Sequence, residues 1–207
     1  MDHPADRPLR TFGAAITLLV ALTAEVFMPS AQALTLHGVD IAPQVEVGGK
    51  TLTLNGAGTR YVFVFKVYTA ALYLPQKSAQ PQAIYAMTGP KELKLTMLRD
   101  VSGKELGDKL NEGIKNNLSP QEFSAFIPSL AQLGGLFAQK SQIKTGETVT
   151  IREIPGKGST IAIDGVPSGG VFTDPQFFNS MLKIWLGKEP AEDRLKRALL
   201  GDEGDSN

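Results

Sequence analysis

Between Leu54 and Pro75 the chain reads LNGAGTRYVFVFKVYTAALYLP, its longest run of β-branched and aromatic residues. Gly56 and Gly58 fence the run at its start and Pro75 ends it. Tyr61, Val62, Phe63, Val64, Phe65, Val67 and Tyr68 predict one long strand, apolar on both faces in its first half. A strand of that pattern belongs in the middle of a sheet, covered on both sides. Arg60 and Lys66 interrupt it, and a charge beside a buried strand must reach water or find a partner. Two fates stay open. Both side chains snorkel to the sheet edge or pair with carboxylates, or Arg60 meets an anionic head group.

Shorter patterns surround this run. Val39–Ile41 and Val45–Val47 are β-like, and Gly48-Gly49 turns the second into Thr51–Leu54, which predicts a hairpin. Ala83–Met87 suits a single helical turn, and Leu93–Leu98 alternates as a strand. Ser102 with Glu105 predicts a capped helix whose face is Leu106, Leu110, Ile114 and Leu118. Ser119-Pro120-Gln121-Glu122 repeats the signal with proline at the first helical position. That second helix carries Phe123, Phe126, Ile127, Leu130, Leu133, Leu136 and Phe137, with a bend expected at Pro128. Thr173 with Gln176 predicts a third helix bearing Phe177, Phe178, Met181, Leu182, Trp185 and Leu186, stopped by Gly187. Before it, Thr148–Ile154 and Ser159–Asp164 flank Pro155–Gly158 as a hairpin. Asp164-Gly165 and Ser168-Gly169-Gly170 read as turns, and a short charged helix carries Leu195, Leu199 and Leu200. Strands first and helices clustered later predict an α+β fold, a largely antiparallel sheet with helices on one face. The aromatic helix faces read as core. The Gly56/Gly58 pair does not sit between a strand and a helix start, so it is no dinucleotide fingerprint.

Composition narrows the chemistry. Arg7 and Arg10 precede an apolar run from Phe12 to Leu22, followed by Ala31-Gln32-Ala33, which predicts a secretory signal over residues 1–33 cleaved after Ala33. Glu25, Pro29 and Gln32 break that run too early for a membrane span. The domain is then expected over 34–201, with a polar tail at 202–207, and no other segment is long enough to span a bilayer. Removing Arg7 and Arg10 with Asp2, Asp6 and Glu25 from 21 basic and 21 acidic residues leaves 19 against 18. That balance makes no electrostatic case for nucleic acid or an anionic surface. The sequence has no cysteine, which removes disulfides and thiolate chemistry. His37 is the one histidine outside the leader, so neither a His-rich metal site nor an ordinary Ser-His-Asp triad is expected.

The segments GAGTRYVFVFKVYTAALYLP, LKLTMLRDVSGKELGDKLNEG and GGVFTDPQFFNSMLKIWLGKEP, in this order, resemble the chalcone isomerase-like family, in particular its exported bacterial branch. The resemblance implies an open-faced β-sandwich, a large antiparallel sheet and a helix layer enclosing a cleft for a flat or elongated apolar ligand, with no cofactor. True isomerases of this family use an arginine, a threonine, and a tyrosine and an asparagine on the helix after the L-x-x-T-M-L strand. Arg60 matches the arginine and Tyr68 takes the threonine's place. The helix positions are Leu106 and Gly113, neither of which donates a side-chain hydrogen bond. Fatty-acid-binding members keep an arginine and a tyrosine for the carboxylate, and Arg60 with Tyr68 resembles that pair.

Three readings follow. The first is a non-catalytic periplasmic protein that holds a fatty acid or similar amphipathic acid with Arg60 and Tyr68. The second is an isomerase on an unknown substrate, and the third an interaction protein in which sheet and helices merely pack. The first meets a geometric obstacle, since along one straight strand Arg60 and Tyr68 lie about 26 Å apart. It therefore requires a tight turn between Val62 and Phe65, where no glycine or proline advertises one. Asp100 and Lys104 are further candidates for a polar rim, explained equally well by helix capping and by solvent.

Overall fold

The computed structural model describes Met1 and residues 34–202. The leader expected over 1–33 lies, but for Met1, outside the described residues, as does the tail beyond Asp202. The fold occupies the compact unit Ala31–Asn207.

A small hairpin of β1 (Leu34–Leu36) and β2 (Val39–Ile41) comes first. β3 (Gln44–Val47), β4 (Lys50–Val62) and β5 (Phe65–Leu74) follow, then α1 (Pro81–Ala86), β6 (Lys91–Met97) and the short β7 (Val101–Ser102). α2 (Gly103–Asn117) and α3 (Pro120–Ala138) come next, then the short β8 (Gln142–Ile143), β9 (Thr148–Ile154), β10 (Gly158–Ile163) and β11 (Val166–Phe172). α4 (Phe177–Leu186) and α5 (Asp193–Leu199) close the chain. Seven strands form one antiparallel sheet in the order β11-β10-β9-β6-β5-β4-β3.

Side chains alternate across the sheet. Ala70, Leu72 and Leu74 of β5, Leu93 and Leu95 of β6, and Val149 and Ile151 of β9 join buried residues of all five helices in the main core. On the opposite face Leu52, Ala71 and Tyr73 pack with Leu36 and Ile41 of the first hairpin. Farther across that face stand Lys94, Thr96 and Arg152, so it is apolar only under the hairpin. This is the predicted α+β arrangement, one sheet with its helices on one side.

The helix signals hold in most places. Ser102 Oγ accepts the Glu105 N–H at 3.0 Å, and Leu106, Leu110, Ile114 and Leu118 are buried on one face. Ser119 and Glu122 exchange both bonds of a capping box, and α3 continues through Pro128. Ile127, expected on its apolar face, is exposed. Thr173 does not cap the third helix. Asp174 does the turning, its carboxylate accepting the Gln176 N–H at 2.9 Å and its carbonyl the Phe177 N–H at 3.0 Å.

Two readings need correction. Ser168-Gly169-Gly170 is no turn but a bulge inside edge strand β11. Thr160 faces Val171 while Ile161 faces Ser168, so both glycines loop out with φ of 75°. A Cβ on Gly169 would lie 2.6 Å from Leu136 Cδ1, so the bulge makes room for α3. Pro167 and the glycine pair disguise the strand. The second correction concerns the longest apolar run. It is not one strand: β4 ends at Val62, Phe63 and Val64 turn the chain, and β5 begins at Phe65. Phe63 takes a left-handed backbone with φ of 54°, a conformation that costs an L-residue about 1–2 kcal/mol. No glycine marks the turn because a phenylalanine adopts the conformation glycine usually supplies.

Candidate ligand-binding cleft

The turn at Phe63-Val64 removes the geometric obstacle between Arg60 and Tyr68. With the chain folded back, the two residues are direct cross-strand partners, and directly opposed residues share a face at about 5 Å. One residue later the register shifts, because Tyr61 pairs with Lys66 and leaves Val67 as the extra residue of a bulge. Both predicted site residues therefore face the helix side at the same end of the sheet.

A cavity of about 370 Å³ opens there between the β4–β5 hairpin and α2, within the range of roughly 300–1,000 Å³ usual for small-molecule clefts. Its apolar lining includes Val67, Val101, Leu106, Leu110 and Ile184, with Arg60 and Tyr68 among them. Charged residues such as Arg99, Glu105 and Lys109 stand exposed at its rim. Tyr68 is the one buried polar side chain among the described residues that line it. Its hydroxyl oxygen accepts the Trp185 Nε1–H at 3.0 Å, which leaves the phenolic hydrogen free to be donated. Burial raises the Tyr68 pKa, with smaller opposing effects from Trp185 and the Arg60 charge. The group is thus a neutral donor at ordinary pH.

Arg60 is three-quarters covered, and its guanidinium is engaged. Nη1 donates to the Tyr61 carbonyl and to Glu192 Oε2, the latter at 3.3 Å. Glu192 Oε2 also accepts the Tyr61 N–H at 2.8 Å, where the register break has disturbed the ladder. Glu192 stands at the start of α5 on a connection from α4 that is itself held down. Asn117 of α2 grips Glu189 through both atoms of its amide, at 2.7 and 2.9 Å. Lys196 Nζ donates to the Gly187 carbonyl at 2.6 Å. An acid already sits on the cation that the sequence singled out. Pairing with a carboxylate was one of the two fates left open for Arg60, but the partner was not legible, because a separation of 132 positions carries no pattern that joins the two residues.

The remaining candidates separate. Leu106 and Gly113 both line the cavity, and a Cβ on Gly113 would lie 2.8 Å from Ile184 Cγ2, so that position serves helix packing. Asp100 caps nothing. Its carboxylate accepts the Thr145 N–H and hydroxyl at 2.8 and 2.9 Å, tying the loop before β9 and lowering its pKa through those two bonds. Lys104 is a solvent-exposed partner of Asp108 one helical turn on. His37 lies in the β1–β2 turn with its Nε2 3.1 Å from the Tyr61 hydroxyl.

Along the same hairpin, from two residues before Arg60 and away from the tip, the helix layer closes onto the sheet. Cβ atoms on Gly56 and Gly58 would lie 2.1 Å from the Ala198 carbonyl oxygen and 2.7 Å from Ala198 Cβ, so α5 rests on bare backbone. Between them and Leu54, Asn55 is the extra residue of a second bulge. Its amide donates to the Leu199 and Ser78 carbonyls at 2.7 and 3.0 Å and accepts the Ser78 N–H at 2.7 Å, which locks the end of α5 in place.

A one-sided antiparallel sheet with an apolar cleft under its helix layer, floored by a paired arginine and tyrosine, defines an α+β protein built around a ligand-sized space. The chain belongs to the chalcone isomerase-like family, whose model matches residues 33–201. Among solved structures it is similar to a fatty-acid binding protein of Arabidopsis thaliana, with a TM-score of 0.63 at 16% identity, over 79% of this chain and 92% of that one. That likeness is one of fold. No curated protein sequence matches the chain.

Proposed function

We propose that the protein is a cofactor-free binder of a fatty acid or similar amphipathic acid, exported by a leader cleaved after Ala33 and working in the periplasm. The observation that carries this reading is the pairing of Arg60 with Tyr68 across the hairpin, on the face that lines an apolar cleft. The guanidinium and the phenolic O–H are donors of the kind a carboxylate accepts, and charge-assisted bonds of this type are the strong ones. The apolar lining takes the chain, and its burial supplies the non-directional part of the affinity. In this arrangement the ligand's carboxylate takes Glu192's place on Arg60. The structural relative named for fatty-acid binding supports the same ligand class. An isomerase reading lacks comparable support. The resemblance matches Leu106 and Gly113 to the positions where true isomerases carry their helix donors, and the other cations at the cleft are exposed at its rim.

The test is native mass spectrometry of the protein purified from its own envelope, followed by titration of the delipidated protein with palmitic acid. Wild type is expected to carry or take up the acid, and Arg60→Ala to bind it at least about tenfold more weakly. A delipidated protein that takes up no long-chain acid sinks the reading. The export reading is checked by N-terminal sequencing of the same material, expected to begin at Leu34.

A further inference from the structure

The residues that promised the most buried strand form the most exposed apolar surface of the fold. Val62, Phe63, Val64 and Phe65 are 41%, 95%, 81% and 61% exposed, four consecutive large apolar side chains at the tip of one hairpin. Isolated apolar residues on a surface need no explanation, but a contiguous cluster marks an interaction site. The backbone adds a second signal. Phe63 keeps a left-handed conformation that glycine would adopt without strain, and strain that persists at an exposed turn points to a use for the side chain.

From these observations we infer that the Val62–Phe65 tip is a membrane-docking element that inserts into the interfacial region of an anionic lipid bilayer. Shape favours lipid over a protein partner. The tip's two most exposed residues, Phe63 and Val64, lie in the turn and belong to no strand, so the apex of the tip offers no edge for strand addition. Its side chains point to both faces of the ribbon. A protein would have to enclose such a tip from all sides, whereas acyl chains surround it without a matching shape. Charge favours an anionic surface. Lys66 follows the tip directly and is exposed. Exposed Arg99 stands beside it, next to Leu98, whose N–H bonds the Val67 carbonyl at 2.9 Å. The Arg194 guanidinium lies 5.8 Å from the Tyr61 ring centroid. Glu192, the carboxylate that hydrogen-bonds this end of β4, is already paired with Arg60 and Tyr61. The near-neutral total charge conceals this grouping. Such a collar places cations at head-group level below an apolar wedge. Docking needs no spanning segment, and among the described residues no helix is long and apolar enough to cross a membrane. Val62 belongs both to the tip and to the lining of the cleft, so docking would bring the cleft's mouth to the lipid.

The absence of cysteine makes the test clean. The full chain carrying Val64→Cys is labelled with an environment-sensitive nitrobenzoxadiazole dye and mixed with vesicles of phosphatidylglycerol and phosphatidylcholine, some containing doxyl-labelled lipid. Lys157→Cys, in the β9–β10 turn, is the control. The Val64 label is expected to shift to the blue and be quenched by shallow doxyl groups, while the Lys157 label stays in water. Because depth is read at one residue, binding through the apolar leader cannot imitate this result. Phe63→Gly should fold with an unchanged or higher Tm and bind vesicles roughly tenfold more weakly. Lys66→Gln should lose about fivefold and reduce the salt dependence. A Val64 label that stays water-exposed on vesicle-bound protein overturns the proposal. So does a blue shift that grows with protein concentration without lipid, which would assign the tip to a second copy or another protein. Neither outcome depends on palmitic acid uptake, so this proposal and the ligand reading fail separately.

Discussion

One hairpin, β4–β5, carries both a close contact and an open one between the sheet and the helix layer. At Gly56 and Gly58 the sheet presents no side chain, and α5 settles onto its backbone with Asn55 bonding the helix end. A few residues on, Arg60 and Tyr68 restore full side chains on the same face, and a 370 Å³ cavity opens beneath α2. The contrast shows how one sheet makes room for a cleft. Small residues set the spacing at one end and anchor the layer. Large polar ones at the other end hold it off and line the space they create. Changes at the closed end should therefore act on stability, and changes at the open end on binding.

The largest effect is expected at the closed end. Gly56→Val places a branched side chain where even a Cβ would lie 2.1 Å from a backbone oxygen. Overpacking against backbone that cannot rotate away should cost about 3 kcal/mol or more in urea unfolding. Palmitic acid affinity of the folded fraction should change far less. If Gly56→Val proves harmless, α5 is not anchored there and the contrast dissolves. At the open end, Tyr68→Phe removes the acceptor of the buried Trp185 N–H. It should cost about 1–3 kcal/mol for the orphaned donor, and it should also weaken acid binding, since the phenolic donor is gone. A variant that loses stability while binding palmitic acid as wild type does would remove Tyr68 from the head-group site.

The sequence made the packing legible and concealed the turn. Alternation and capping pairs marked β3–β4, β9–β10, α2 and α3, because core faces follow periods of two and 3.6 that local composition records. The arginine and tyrosine were legible as residues through their resemblance to a family pattern, but their convergence was not. The turn between them has no glycine, and a run of valine and phenylalanine reads as strand wherever it stands. Exposure of Phe63 breaks the rule that apolar runs are buried, and such violations are expected where function outweighs folding. Glu192 was illegible for another reason. It meets Arg60 only through the docking of α5, and contacts of that separation leave no local trace.

The Arg60–Glu192 contact sharpens the open end further. Glu192→Gln keeps an oxygen for the Tyr61 N–H but removes the charge that competes for Arg60. Affinity for palmitic acid should rise severalfold, with stability changed by no more than about 1 kcal/mol for a partly exposed pair. Unchanged affinity in isothermal titration would mean that the ligand's acid does not take Glu192's place.

The smallest effect belongs to neither end and calibrates both. Glu122 Oε1 accepts a 2.6 Å bond from Lys183, joining the start of α3 to α4. That bond first, and the Ser119 N–H second, lower the Glu122 pKa from 4.5 to about 2. A depressed carboxylate pKa stabilises the fold above its unfolded value, and the contribution disappears as pH falls through the folded one. Since half of the Glu122 side chain is exposed, screening limits the pair to about 1 kcal/mol. Glu122→Gln should therefore unfold slightly more easily than wild type at pH 7. The two proteins should converge between pH 4.5 and about 2, in the window those pKa values define. A gap that persists to pH 2 would mean that the substitution disturbs the α3 cap itself rather than the charge. Palmitic acid binding should not respond, because this pair lies outside the lining of the cleft. A response there would show the helix layer transmitting changes along its length, and the division between an anchoring end and a binding end would no longer describe the molecule.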